Sequence, residues 1–585
     1  MSISTTLKIY VWNRSWWSGL LSFRRIVLVL IVAFVGLASL IPLLFLLWDS
    51  FKEVSVGNLF DPSLTNFTLK NFREAYADPR SLTMLSDSLF FAFGSMAVAF
   101  FFGGTMAFLV ERTNTLLRNV VYGLMFIPLV MPSMLKAIAW ILLISPEIGM
   151  FNRAWLLLPF TEEALFNAYS IPAMFWVEGL SMSPLTFLML GSALRAMDPS
   201  MEEASYTAGA GKLSTLFRIT LPMMTPALAG IGLLQFVRGL EAFEVPLIMG
   251  YSSGIQVYST NIYFAIREVT PPLYGQAFVY SLVLIILSII GLILYQRFMG
   301  HAGQYATVTG KGYRPRLLDL GKWRGAAAAF IFLFLAFSVI LPFFVLLYAS
   351  FLPYYQLPSD ISPDLMSMDN YRALYNRRDI LLTLKNTAIL CGTVSVGGML
   401  IATVISWLVI RMRTKGSRVL DGLLFVPFAI PSIAMAFSFL ILFLSIPNPI
   451  YGTIWLLVLV YLVRFLPIGT RFTHAGIAQI KVELEEAAAS SGAGLLTILR
   501  RIIIPLILPS LIAGGLFMLL LSAKVMSSAA ILYTPDSMVL SVMIYQLWNE
   551  GSIPLVGALS VLMILVFTII SVASRNMGQR RAMMV

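Results

Sequence analysis

Cysteine and histidine are almost missing from this chain: Cys391, His301 and His474 are all that 585 residues contain. A disulfide framework is excluded, because a bridge within the chain needs two cysteines. A zinc, haem or iron–sulfur centre built from these ligands is not expected, and no metal or other cofactor is assigned to the chain. Charge is scarce too. Asp, Glu, Lys and Arg make up 12% of the residues, about half the share found in soluble globular proteins. So few charges cannot clothe a soluble protein of this length, and 59% hydrophobic content excludes disorder. The composition that remains is that of an all-α polytopic membrane protein, with lipid as its surroundings. A net charge of +12 could point to nucleic acid. In a membrane protein, however, surplus Lys and Arg collect in cytoplasmic loops, and no nucleic-acid partner is expected.

A span needs about 20 mostly apolar residues, and about twelve stretches qualify. The first runs from Ile26 to Trp48, followed by roughly 88–110, 120–144, 169–193, 220–249 and 276–296. The series resumes near 326–349, 387–410, 420–445, 451–473, 503–531 and 554–574; the longer fifth stretches contain prolines or glycines and should include some non-spanning helix. Lys8, Arg14, Arg24 and Arg25 precede the first stretch, and Arg297, Lys311, Arg314, Arg316, Lys322 and Arg324 lie mid-chain. Arg411, Arg413, Lys415 and Arg418 follow the eighth stretch, and Arg575, Arg580 and Arg581 the last. Loop 49–87 carries four bases and six acids instead. This alternation predicts that both termini are cytoplasmic. Trp12, Trp16 and Trp17 beside Lys8 and Arg14 suit an interfacial anchor. The expected organisation is an N-terminal segment 1–25, a first half 26–298, a linker 299–325, a second half 326–574 and a tail 575–585.

The chain contains itself twice. Residues 202–232 align without gaps on residues 485–515, an offset of 283, matching Glu202/Glu485, Glu203/Glu486, Ala204/Ala487, Gly209/Gly492, Gly211/Gly494, Pro222/Pro505 and Pro226/Pro509. Weaker echoes lie at offset 299: Asn71-Phe72-Arg73 answers Asn370-Tyr371-Arg372, and Pro128/Pro132 answers Pro427/Pro431. An even number of spans per repeat gives both halves one orientation. The architecture predicted is therefore two parallel six-helix repeats about an axis along the membrane normal, enclosing a pathway.

The repeated segment falls between the fourth and fifth stretches of each half, on the expected cytoplasmic side. Glu- and Ala-rich residues favour a helix, Gly209 and Gly211 permit a positive-φ turn, and a second short helix should run from Lys212 to Thr220 before Leu221-Pro222 re-enters the bilayer. Such a knob suits a partner's groove. Glu203-Ala204-Ser205, Gly209, Ile219 and Leu221-Pro222, repeated as Glu486-Ala487-Ala488, Gly492, Ile502 and Ile504-Pro505, resemble the signature of ABC importer permeases of the type I binding-protein-dependent family. Two fused halves, and the stretch from Glu241 to Pro246, resemble the ferric-iron subgroup, with thiamine, phosphonate and sugar-phosphate importers as relatives. The resemblance implies a bacterial inner-membrane location, two cytoplasmic ATPase subunits docked on the twin knobs and an extracytoplasmic substrate-binding protein. ATP and magnesium would then belong to the ATPase. Consistent with that division, neither Gly211-Lys212-Leu213 nor Gly310-Lys311-Gly312 fits the GxxxxGK[ST] phosphate loop, so the chain itself is not expected to be an enzyme.

Charges inside spans are costly and mark function. Glu241 falls opposite Lys524 at offset 283, suggesting an ion pair across the half–half interface; a local Arg238–Glu241 pair is the alternative. Glu244 is a further pathway candidate. Lys136 could attract an anionic substrate, snorkel toward the interface or pair with a protein carbonyl. A secondary carrier of the major-facilitator type would also have two six-span halves. Its Gly/Asp/Arg-rich loop between the second and third spans is not matched by Glu111-Arg112-Thr113-Asn114-Thr115.

Overall fold

The computed structural model describes residues 6–52, 67–302 and 317–582, apart from positions 117, 160, 199, 361–362, 413–414, 429 and 447. Lys311, Arg314 and Arg316 of the linker lie outside the described residues. The first helix begins at Thr6, so Trp12, Trp16 and Trp17 belong to its leading end, whose side chains are likewise outside the described set.

Ten helices among the described residues are long and apolar enough to cross a membrane. They are Leu28–Ser50, Arg80–Arg112, Ile171–Ala196, Lys212–Glu241 and Tyr274–Phe298, then Gly321–Ser350, Arg378–Met412, Ile454–Ala478, Leu495–Lys524 and Ile553–Ser571. They occupy ten of the twelve expected stretches. The other two, the third of each half, are broken. Val120–Val130 and Ser133–Ile144 meet at 86°, and in the second half Lys415–Phe425 is separated from Ser432–Ser445 by a single turn, Val426–Phe428. Proline offers no amide hydrogen and pushes the residue before it toward extended backbone. Met131, before Pro132, is extended at ψ 122°. The apolar runs were long enough to span; the proline pairs in them make each run two helices.

A second correction concerns the fifth spans. The short helix from Lys212 does not end before the bilayer but continues through a π-turn, Leu216–Thr220, into Leu221–Glu241. Leu499–Ile503 does the same before Pro505. The wider turn absorbs a proline that would otherwise clash with the carbonyl one turn back. The spanning helix stops at Glu241, and the rest of the stretch to 249 lies outside it, as the expectation of some non-spanning helix allowed; a buried helix, Tyr258–Arg267, follows, with Leu540–Asn549 as its counterpart.

The halves exchange their first spans. The first span packs on Lys415–Phe425 and Ser432–Ser445 of the second half, burying Leu28 and Val35 beside Trp407, Leu420 and Leu424. The seventh runs along Ile553–Ala582 of its own half and reaches the first half as well, with Phe330 and Phe334 against Phe102 and Phe337 against Trp140 and Trp176. Neither half buries its apolar faces without the other. The repeated asparagines fasten the ends of these spans. Asn71 donates to the carbonyls of Ser50 and Lys52 at 3.0 and 2.7 Å, and Asn370 to those of Ser350 and Leu352 at 2.9 and 2.7 Å.

Candidate functional site: twin knobs and a charged chamber

Each knob is a short helix closed by a left-handed glycine. Gly209 and Gly492 both sit at φ 85°. In each, the glycine amide bonds back three residues and the next amide five residues, all at 3.0 Å, which closes the helix end in a Schellman turn. Gly211 and Gly494 do not share the positive φ expected for the first. At φ −72° and −70° they are extended residues that start the next helix.

The conserved geometry divides the repeated residues into two groups. Glu202 and Glu485 are buried, 8% and 5% exposed, and hold the knobs to the bundle. Glu202 lies 3.4 Å from Arg112 and accepts from Thr220 at 2.7 Å. Glu485 accepts from Arg411 at 2.7 Å and from the indole of Trp407 at 2.9 Å. The same two arginines reach the carbonyls of Met197 and Ile480, so each ties the end of one span to the start of a knob. Ala204, Gly209, Gly211, Glu486, Ala487, Gly492 and Gly494 are exposed, and Glu203 half-buried. Leu213 and Leu496, at matching positions, are 71% and 76% exposed. Pro222 and Pro505 open the membrane-embedded helices rather than the knob surface.

Between the halves lies a chamber of about 360 Å³. Its lining includes three cations, Arg238, Arg464 and Lys524, and three carboxylates, Glu178, Glu241 and Glu244. The expected Glu241–Lys524 pair does not form. Glu241 instead pairs with Arg464 at 2.8 Å, while the Lys524 ammonium donates to the carbonyl of Leu129 at 3.0 Å. The reason is the broken third spans, whose ends leave carbonyls without helical partners. Lys524 and Lys136 serve the first break, Lys136 donating to Pro128 at 2.9 Å. Arg464 serves the second, donating to Pro427 at 2.8 Å and to Ile430. Lys136 is fully buried and takes the carbonyl alternative; it does not line the chamber. Glu244 accepts from the amide of Met526 at 3.0 Å, joining the halves beside the chamber.

Arg112, Arg411 and Arg464 were not anticipated from the sequence. Arg112 and Arg411 stand 299 residues apart, the offset of the asparagine and proline echoes, so the repeat itself could have found them. Arg464 falls at the position of Ser181 and has no such signal.

Two like halves with exchanged first spans, a charged chamber between them and paired surface knobs define a two-repeat membrane transport subunit. The model of the family "Binding-protein-dependent transport system inner membrane component" matches residues 99–301 and 394–582, and the chain belongs to that family. It is similar to the ferric transport system permease protein FbpB of Actinobacillus pleuropneumoniae, 27% identical over 80% of this chain and 67% of the relative. A putative ferric transport system permease protein FbpB 1 of Haemophilus influenzae is 28% identical over 78% and 71%. The spermidine/putrescine transport system permease protein PotC of Escherichia coli, 27% identical, covers 35% of this chain and 77% of itself. The chain is a multi-pass ABC importer permease with two fused halves.

Proposed function

We propose that this permease carries ferric iron across a bacterial inner membrane by alternating access, with both termini cytoplasmic. Two separate ATPase subunits dock on the knobs around Glu203/Gly209 and Glu486/Gly492. A substrate-loaded binding protein docks on the opposite face, over the loops 49–87 and 350–386. Closure of the ATPases moves the knobs, and the knobs move the spans through Arg112–Glu202 and Arg411–Glu485. The observation that carries this reading is the matched pair of knobs: one backbone geometry twice, each offering an exposed leucine outward and a buried glutamate inward. A buried charge pair transmits displacement because separating it in a dry setting is costly. Glu241, Glu244 and Lys524 act as pathway residues, linking the halves around the chamber. Lys136 acts by holding the first broken span. The iron assignment is supported by the two ferric relatives, each aligned over more than three-quarters of this chain.

The test is reconstitution. The permease is placed in proteoliposomes with its cognate ATPase and internal ATP, and its binding protein, loaded with ⁵⁵Fe(III), is added outside. Accumulation that requires ATP and stops when the binding protein is omitted is the expected result. ATP-dependent uptake of a different cargo would overturn the iron assignment alone. Uptake driven by a proton gradient without ATP would overturn the importer mechanism.

A further inference from the structure

Four of the six charges lining the chamber are already engaged: Glu241 with Arg464, Lys524 with Leu129 and Glu244 with Met526. The remaining two are not. Neither Arg238 nor Glu178 has a hydrogen-bond or ion-pair partner among the described residues, and both line the chamber. Arg238 is exposed to it. The Glu178 carboxylate lies in the field of Arg238, Lys136, Lys524 and Glu244. Arg238 in turn lies in the field of Glu178 and Glu241, so opposite charges are near, but its donors and the Glu178 oxygens make no direct contact and stand open to a ligand inside a membrane bundle, where such groups mark function. The chamber, at about 360 Å³, is also within the usual size of a small-molecule site.

We propose that Arg238 and Glu178 form a transient cargo site for a ligand carrying both signs: a hard trivalent metal ion travelling with its oxyanion chelator. Arg238 presents a planar fork of donors suited to a carboxylate or phosphate. Glu178 presents oxygen to the metal, which prefers hard oxygen ligands. A single carboxylate cannot hold such an ion alone, and no group of three or more metal-binding side chains occurs among the described residues. The chelator therefore stays on the metal and supplies its remaining ligands. This assignment rests on the transport reading above but makes a separate claim, that the permease itself binds the cargo.

The experiment uses the full-length permease in lipid nanodiscs without ATPase or binding protein. The probe is gallium(III) citrate, a redox-inert stand-in for the ferric complex, with citrate alone as comparison, and binding is read by titration calorimetry. Wild type is expected to bind gallium citrate saturably and more tightly than citrate. Arg238→Gln should weaken both ligands about tenfold or more, the loss of one charge-assisted contact. Glu178→Gln should weaken gallium citrate and leave citrate unchanged. Because neither side chain holds another residue, both variants should melt as wild type does, which separates lost binding from lost folding. Absence of saturable binding in wild type, or binding indifferent to both substitutions, would overturn the site. Citrate binding as tightly as gallium citrate, with only Arg238→Gln having an effect, would overturn the two-sign assignment. If nothing binds while ATP-driven iron uptake persists, the chamber claim fails and the transport reading stands. If gallium citrate binds and iron is not transported, the reverse holds.

Discussion

The two halves agree at their knobs and disagree at their broken spans. Gly209 and Gly492 have the same φ of 85° and the same hydrogen-bonded turn. Arg112–Glu202 and Arg411–Glu485 occupy equivalent places. At the breaks the chemistry diverges. Two lysines, one from each half, satisfy the first, whereas Arg464 serves the second with two contacts and holds Glu241 of the opposite half as well. The knobs, on the surface, share one geometry. Features facing the other half differ, because within one chain each half meets a different neighbour.

The largest expected effect tests that divergence. Arg464→Ala removes the partner of Glu241 and two carbonyl contacts together, and should cost about 3–5 kcal/mol, the usual penalty for orphaning a buried charge. Lys136→Ala leaves one carbonyl unsatisfied and should cost about 1–3 kcal/mol. Thermal unfolding in detergent orders the two variants. By the same account, Glu241→Arg with Arg464→Glu should recover stability lost in either single variant, and Glu241→Lys with Lys524→Glu should not.

At the knobs the expected asymmetry is smaller. Arg411 makes a direct 2.7 Å contact with Glu485, while the Arg112–Glu202 separation is 3.4 Å and the Arg112 Nε has no hydrogen-bond partner. Arg411→Ala should therefore cost about 3 kcal/mol and Arg112→Ala visibly less, measured by melting and by ATPase stimulation. Gly209→Ala and Gly492→Ala should be equal. A Cβ would meet nothing within 4 Å at either site, so only the left-handed backbone resists, at about 1–2 kcal/mol each. Unequal costs would break the claim that the knobs are one structure used twice.

The smallest effect concerns the linker, whose described residues reach the first knob. Leu318 bridges to Thr113, Asn114 donates to Asp319 at 2.7 Å, and Lys212 donates to the Asp319 carbonyl. The Asp319 carboxyl is held below the ordinary carboxylate range by the amide of Gly321 and the side chain of Asn114. Asn114→Ala should loosen the first knob and spare the second. Hydrogen exchange should rise over 212–218 with no change over 495–501.

Much of this was legible in the sequence because it depends on local composition or on repetition. Apolar length gave ten continuous spans, and offset 283 gave both knobs and their left-handed glycines. Broken third spans were within reach, since Pro128/Pro132 and Pro427/Pro431 stand as a repeat inside apolar runs that proline interrupts. The partners of Glu241 and Lys524 were beyond reach. Pseudo-symmetry sets two residues at matching heights, but a freed backbone carbonyl competes for each cation, and its position depends on where a distant helix bends. Glu202 and Glu485 illustrate a related limit: repetition identified them, yet only burial separates an anchor from a docking surface.

The central claim, that each knob receives an ATPase subunit, is tested most directly by crosslinking. A photo-activated residue is placed at Leu213 or Leu496, the two exposed leucines, in permease co-expressed with the ATPase encoded beside it. The account predicts that both positions crosslink to the ATPase with similar yield and that the yield changes when ATP is added. Crosslinking from neither position, in a preparation where the ATPase still co-purifies, would contradict it.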